Sequence, residues 1–148
     1  MKHLITPHTP FSFIADDLAI GGVMAYGEGH RFDLRINVAY EIDPNKYLFP
    51  TRAHANYRLD DTENRRAVFQ QAPEVFRAVE RVREARARGR CVLVTCAQGR
   101  NRSALVAAEF LIQCGNHPAD VVRKIRERRA NALTNEAFVV WLHRPRAR

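Results

Sequence analysis

Long hydrophobic runs are missing from this sequence. No apolar stretch approaches the roughly 18 residues that a membrane-spanning helix needs. The start, MKHLITPHTPFSF, has no sustained apolar centre, so no secretory leader is expected. Cysteine is scarce, with Cys91, Cys96 and Cys114 alone. So few, and an odd number, argue against a disulfide framework and fit a reducing, cytoplasmic compartment. Neither a CxxC pair nor an HExxH pattern occurs, and the six histidines are scattered, so neither a metal nor another cofactor is expected. Acidic residues are in deficit, 16 against 24 basic ones, which leaves a net charge of +8. Lysine is nearly absent, since 21 of the 24 basic residues are arginine. A field of that sign attracts phosphoesters, acidic proteins, anionic lipid surfaces or nucleic acid; a plain compositional bias explains it equally well.

What is present reads as one globular domain over 1–148, long enough to bury a core. Leu18–Ile20 reads as a strand ending in the turn signal Gly21-Gly22, and Leu34–Ala39 as a second strand. Residues 41–56, with Pro44 and Pro50, read as loop, followed by a short strand Tyr57–Leu59 and a polar stretch. Pro73 opens a helix with Val75, Val79 and Val82 on one face, and Gly89 closes it. CVLVT, 91–95, is apolar or β-branched on both faces, the pattern of a central buried strand. SALVAAEFLIQCG, 103–115, is a helix apolar nearly all round, suited to the middle of a domain. Pro118 opens another helix, and Thr134 is placed to cap a last one carrying Phe138 and Leu142. Strands and helices alternate, which predicts an α/β fold: a central, mostly parallel sheet of four to five strands flanked by helices.

The chemistry gathers where the central strand meets the apolar helix. Cys96 stands at the carboxyl end of that strand, where open α/β sheets place their sites. Gly99 lets the short loop Ala97–Asn101 turn tightly, and amides of such a loop converge into an anion nest. A helix beginning near Arg102–Ser103 aims its unpaired N–H groups, with roughly half a positive charge, at the same point. A thiol in such a place loses its proton readily, its pKa falling from about 8.5 to about 3.5–7.5. A cysteine after a strand is more often an inert core residue. The spacing of Cys96, Gly99, Arg102 and Ser103 favours a nucleophile instead. No GKS or GKT follows, so this is not a nucleotide-binding P-loop. Cys91 lies roughly 16 Å from Cys96 along an extended strand, too far for a disulfide, and both Cys91 and Cys114 read as structural.

The stretch CAQGRNRS has the form CxxGxxRS, and the chain resembles the cysteine-dependent protein tyrosine phosphatases, above all the compact dual-specificity phosphatases. The likeness extends to LAIGG, LRINVAYE, RLDDTENRR and VVRKIRERRANALTNEAF, most of the chain. It implies the fold of that family and hydrolysis of phosphomonoesters through a cysteinyl-phosphate intermediate. Under it, Cys96 is the nucleophile, and the loop Ala97, Gln98, Gly99, Arg100, Asn101 and Arg102 cradles the phosphate. The Arg102 guanidinium would grip two oxygens as a fork, Asp61 would be general acid and then base, and Ser103 would help the sulfur leave. Asp60 competes with Asp61; Asp61 is preferred because Thr62 follows it. Asn37 is either a buttress of the loop or an ordinary strand-end residue. The family usually has histidine before the nucleophile, and here Thr95 offers only a hydroxyl hydrogen bond. The thiol is therefore expected to be less acidic than in relatives, with a rate that changes between pH 5 and 8.

Three readings of function follow from the resemblance. The first is a phosphatase for phosphotyrosine, with phosphoserine or phosphothreonine, in proteins. The second is a phosphatase for a phospholipid, inositol phosphate or RNA phosphate, to which Arg100 and the net charge point. The third is an inactive phosphate-binding module, which the presence of Cys96, Arg102 and an acid disfavours. The expected partner is thus a phosphorylated protein or another phosphomonoester; DNA is not expected, and an anionic membrane surface is compatible with the charge.

Overall fold

Period-two patterning decides how the central strands stack. The computed structural model describes residues 10–23, 25, 31–39, 41 and 53–147. Five strands form one sheet: β1 (Phe11–Ala15), β2 (Leu18–Gly21), β3 (Leu34–Asn37), β4 (Ala53–Asn56) and β5 (Val92–Thr95), in the order β1-β2-β5-β3-β4. β1 and β2 pair antiparallel; the other pairs are parallel. Leu18, Val92 and Leu34 stand side by side, as do Ile20, Val94 and Ile36, and all six enter the main core. The alternate row, Ala19 and Leu93, faces the other way and meets Ala25 and Phe32 in a smaller cluster.

Five helices follow: α1 (Arg65–Gln70), α2 (Ala72–Ala87), α3 (Arg102–Gln113), α4 (Pro118–Arg128) and α5 (Glu136–Leu142). α2 buries Val75, Val79 and Val82, has Pro73 in its first turn, and is followed by Gly89 at φ 71°. α3 is buried along most of its length against β2, β5 and α2. Burial on all sides makes it the axis of the domain, and its N-terminus the best-fixed point near the sheet's carboxyl edge.

Several elements differ from the sequence reading. β1 was not foreseen; Phe11 and Phe13 place aromatic bulk beside Phe32 rather than in the main core. The expected strand at Tyr57–Leu59 falls earlier, at Ala53–Asn56, because pairing with β3 overrides the weak strand preference of AHAN. The amides of Tyr57 and Leu59 still donate to the carbonyls of Asn37 and Val38. α1, of which only Arg65 and Arg66 fall in the expected polar stretch, is a short helix capped by Asn64 that buries only Val68. Asn135, not Thr134, caps α5. Pro44 and Pro50 lie outside the described residues.

Candidate active site

The three parallel strands β2, β5 and β3 end level, with Gly21, Thr95 and Asn37 side by side. Their carboxyl ends therefore open on one edge, and the next residue of β5 is Cys96, 3% exposed. Its amide donates to Gly21 O and the amide of Val38 to Thr95 O. The loop that follows is shaped from below by glycine. Gly99 adopts φ 68°, and a Cβ there would run into the backbone of Gly21. A Cβ on Gly22 would lie 2.8 Å from Ala97 O. Gly21-Gly22, read from the sequence as a turn, is thus the floor on which the loop rests.

Behind the loop, the carbonyls are taken. Arg129, 3% exposed, donates from Nε to Gly99 O at 2.6 Å, from Nη2 to Gln98 O at 3.1 Å and from Nη1 to Ser12 Oγ at 3.1 Å. The amide of Leu133 donates to Arg100 O at 2.8 Å. Committing the carbonyls on that side leaves the loop amides available on the other, as an anion nest requires. Asn101 is the N-cap residue of α3, yet its side chain makes no capping bond. The first turn therefore keeps its unpaired N–H groups directed at the loop.

Cys96 Sγ and Ser103 Oγ are hydrogen-bonded at 3.3 Å. Arg102 is buried, and its guanidinium is held end-on by Glu41, with Nη1–Oε1 and Nη2–Oε2 both 2.6 Å. Nη1 also donates to Leu59 O at 3.3 Å. Of the five guanidinium hydrogens, those bonds leave the Nε–H and the second Nη2–H, the side-on edge of the fork. Burial works against the charge on Arg102, but the Glu41 hydrogen bond and the negative groups at Cys96, Glu41 and Asp61 together raise its pKa. The Arg102 hydrogen bond in turn lowers that of Glu41. Burial likewise lowers the pKa of Arg129, with Cys96 opposing that effect and Arg100 adding to it.

Asp61 belongs to this cluster. Its Oδ1 accepts from Asn135 Nδ2 at 2.8 Å and its Oδ2 from Asn101 Nδ2 at 3.3 Å. Asp60 is fixed through its backbone instead, its N–H and C=O both bonded to the Gln71 amide. The Asn37 side chain bonds the backbone of Ala39 and not the phosphate loop. Thr95 Oγ1 is buried, and the hydroxyl bond expected of it has no partner among the described residues. Arg100 also has a buried Nε without a partner among the described residues. Cys91 and Cys114 are free and outside the cluster. Among the described residues, no three His, Cys, Asp or Glu side chains form a group fit for a metal ion.

Sequence reasoning missed Glu41, Arg129 and Asn135 as parts of this site; Asn101 was expected as a member of the loop, but not its side-chain bond to Asp61. Glu41 had one signal, the need of a buried arginine for a carboxylate, but the sequence does not say which carboxylate.

The sequence profile described as the dual specificity phosphatase catalytic domain matches residues 21–146. No curated protein matches by sequence. Among solved structures, human DUSP28 is similar at TM-score 0.74 and 23% identity, over 90% of each chain. The human tyrosine phosphatase-like serine/threonine/tyrosine-interacting protein is similar at TM-score 0.70 and 18% identity, over 89% of this chain and 92% of that one. OH1 of Orf virus, described as a tyrosine phosphatase with triple substrate specificity, matches at TM-score 0.66 and 20% identity, over 90% of this chain and 84% of that one.

Proposed function

The chain belongs to the dual-specificity phosphatase family, and from that premise we propose that it removes phosphate from phosphotyrosine, and from phosphoserine and phosphothreonine, in proteins. The observation that carries this is the meeting of Cys96, Ser103, the open edge of Arg102 and Asp61 around one loop. The Cys96 thiolate attacks phosphorus, forming an S–P bond as the P–O ester bond breaks. Asp61 gives its proton to the leaving oxygen. Water then attacks the cysteinyl phosphate, Asp61 takes its proton, and inorganic phosphate leaves with the thiolate restored. Arg102 and the loop amides stabilise the charge on the equatorial oxygens, and Ser103 supports the departing sulfur.

The setting of the cations favours a protein monoester. Arg129 is committed to loop carbonyls and Arg102 to the reacting phosphate and Glu41. That leaves Arg100 as the further arginine of the loop, fewer cations than a polyphosphorylated ligand calls for. The same Arg100, with its unpartnered Nε, supports the second reading, a phospholipid, inositol phosphate or RNA phosphate. We extend the proposal to one catalytic domain over residues 1–148, supported by a main core shared by sheet and helices, and to the cytoplasm, supported by three free cysteines. No helix among the described residues is long and apolar enough to cross a membrane.

The test is a substrate panel of phosphopeptides, inositol phosphates, phospholipid vesicles and 5′-phosphorylated RNA, with Cys96→Ser and Arg102→Lys as controls. The expected result is the highest kcat/KM on phosphotyrosine peptides, loss of turnover in Cys96→Ser, and a loss of about 100-fold or more in Arg102→Lys, since an ammonium cannot reproduce the planar fork. Preference for a lipid, inositol or RNA phosphate would establish the second reading; unchanged turnover in Cys96→Ser would overturn both.

A further inference from the structure

Asn135 makes more bonds than its role as a helix cap requires. Capping α5 uses only its Oδ1, which accepts from the amide of Phe138 at 3.2 Å. Its Nδ2 sends one hydrogen to Asp61 Oδ1 and the other to Thr62 O, both at 2.8 Å. Its backbone N–H donates to Asn101 Oδ1 at 3.0 Å. The side chain is 2% exposed, and its orientation is fixed, because exchanging O and N would set an oxygen against both a carboxylate and a carbonyl. A buried residue of the α4–α5 connection thus ties the aspartate loop to the phosphate loop.

We propose that Asn135 is a positioning residue for the general acid, and that it assigns different work to the two oxygens of Asp61; this rests on the reading of Asp61 as that acid. Oδ1 is the anchor, held at 2.8 Å by an amide whose other hydrogen is fixed on Thr62 O. Oδ2 is the working oxygen. Its bond to Asn101 is longer, 3.3 Å, and the same Asn101 amide also donates to Thr134 Oγ1 at 3.2 Å. A protonated carboxyl must point its O–H at the leaving oxygen, and an amide N–H facing that oxygen has to give way. The Asn101 bond is exposed, and its amide retains Thr134 when it gives way; buried Asn135 is clamped by Thr62 O and the Phe138 amide as well, and stays. Asp61 itself is exposed, so without these bonds its carboxyl would sample many rotamers.

The test uses Asn135→Ser, which keeps an oxygen able to cap α5 but is too short to donate to Asp61. kcat/KM is measured on aryl phosphates whose phenols span weak to strong acids, since a strongly acidic phenol leaves without a proton donor. The expected result is a loss of about tenfold or more on the least acidic phenols, less than about twofold on the most acidic, and no further loss when Asn135→Ser is added to Asp61→Asn. Asn135→Asp, which also caps, should lose more on the poor leaving groups by setting a carboxylate against Asp61, and serves if the serine variant does not fold. A uniform loss across the series, or losses that add to those of Asp61→Asn, would overturn the proposal. If Asp61→Asn leaves the leaving-group dependence unchanged while Asp60→Asn steepens it, the assignment of the acid itself fails. If Asp61→Asn steepens it and Asn135→Ser does not, only the role of Asn135 fails.

Discussion

At the scale of single residues, the site combines tight fits with one apparent loose end. Gly99 and Gly22 are fixed by what a Cβ would strike, so the loop and the end of β2 are shaped together. Thr95 is the loose end, a buried hydroxyl with no partner among the described residues, immediately before Cys96. Burying a hydroxyl unpaired costs about 1–3 kcal/mol. Valine matches threonine in shape and carries no such group. Thr95→Val is therefore expected to be as stable as the parent or more stable by up to about 1 kcal/mol, read from the urea unfolding midpoint. A loss of more than about 1 kcal/mol would show that the hydroxyl has a partner in solution.

At the scale of elements, α3 is held at both ends by arginine chemistry. At its start, Arg102 pairs with Glu41; further along, the fully buried Glu109 accepts from both Arg144 and Arg146, each through two nitrogens at 2.9–3.1 Å. Arg144 also lies over the Trp141 ring, 3.7 Å from its centroid. Burial alone would raise the pKa of Glu109; hydrogen bonds from Arg146, Arg144 and Gln113 outweigh it and leave it below the ordinary 4.5. A carboxyl held down in the folded state stabilises the protein above its unfolded pKa and stops doing so as pH falls through its folded value. Replacing both arginines by alanine should cost about 3–5 kcal/mol at pH 7, because the carboxylate is left buried with only Gln113. The deficit against the parent should shrink at pH 4, where Glu109 of the variant takes up a proton. Urea midpoints at the two pH values check this; an equal loss at both would mean that the arginines act by packing alone.

The elements also show what was legible in the sequence. CVLVT, SALVAAEFLIQ and the Pro73–Gly89 helix carry their patterns within a few residues, and each appears where that pattern places it. The grouping of the loop with Cys96 and Arg102 was legible because one short segment holds them. Glu41, Arg129 and Asn135 were not, since each meets the loop across 30 or more residues of chain. α1 and β4 were lost for a different reason. β4 is short and weak in strand propensity, α1 is too short to show a period, and contacts with distant segments decide both.

At the scale of the whole molecule, a sheet with three level strand ends and one central helix places thiol, guanidinium and carboxylate around a single point. The net charge of +8 gives the molecule a field that draws anions. Everything in this account depends on phosphorus passing through Cys96. The most direct measurement is to acid-quench the Asp61→Asn enzyme during turnover of an aryl phosphate with a strongly acidic phenol, and to map the modified peptide by mass spectrometry. The expected result is a phosphate on the Cys96 thiol that is absent from Cys96→Ser. Steady turnover with Cys96 unmodified, or with the phosphate on another side chain, would contradict it.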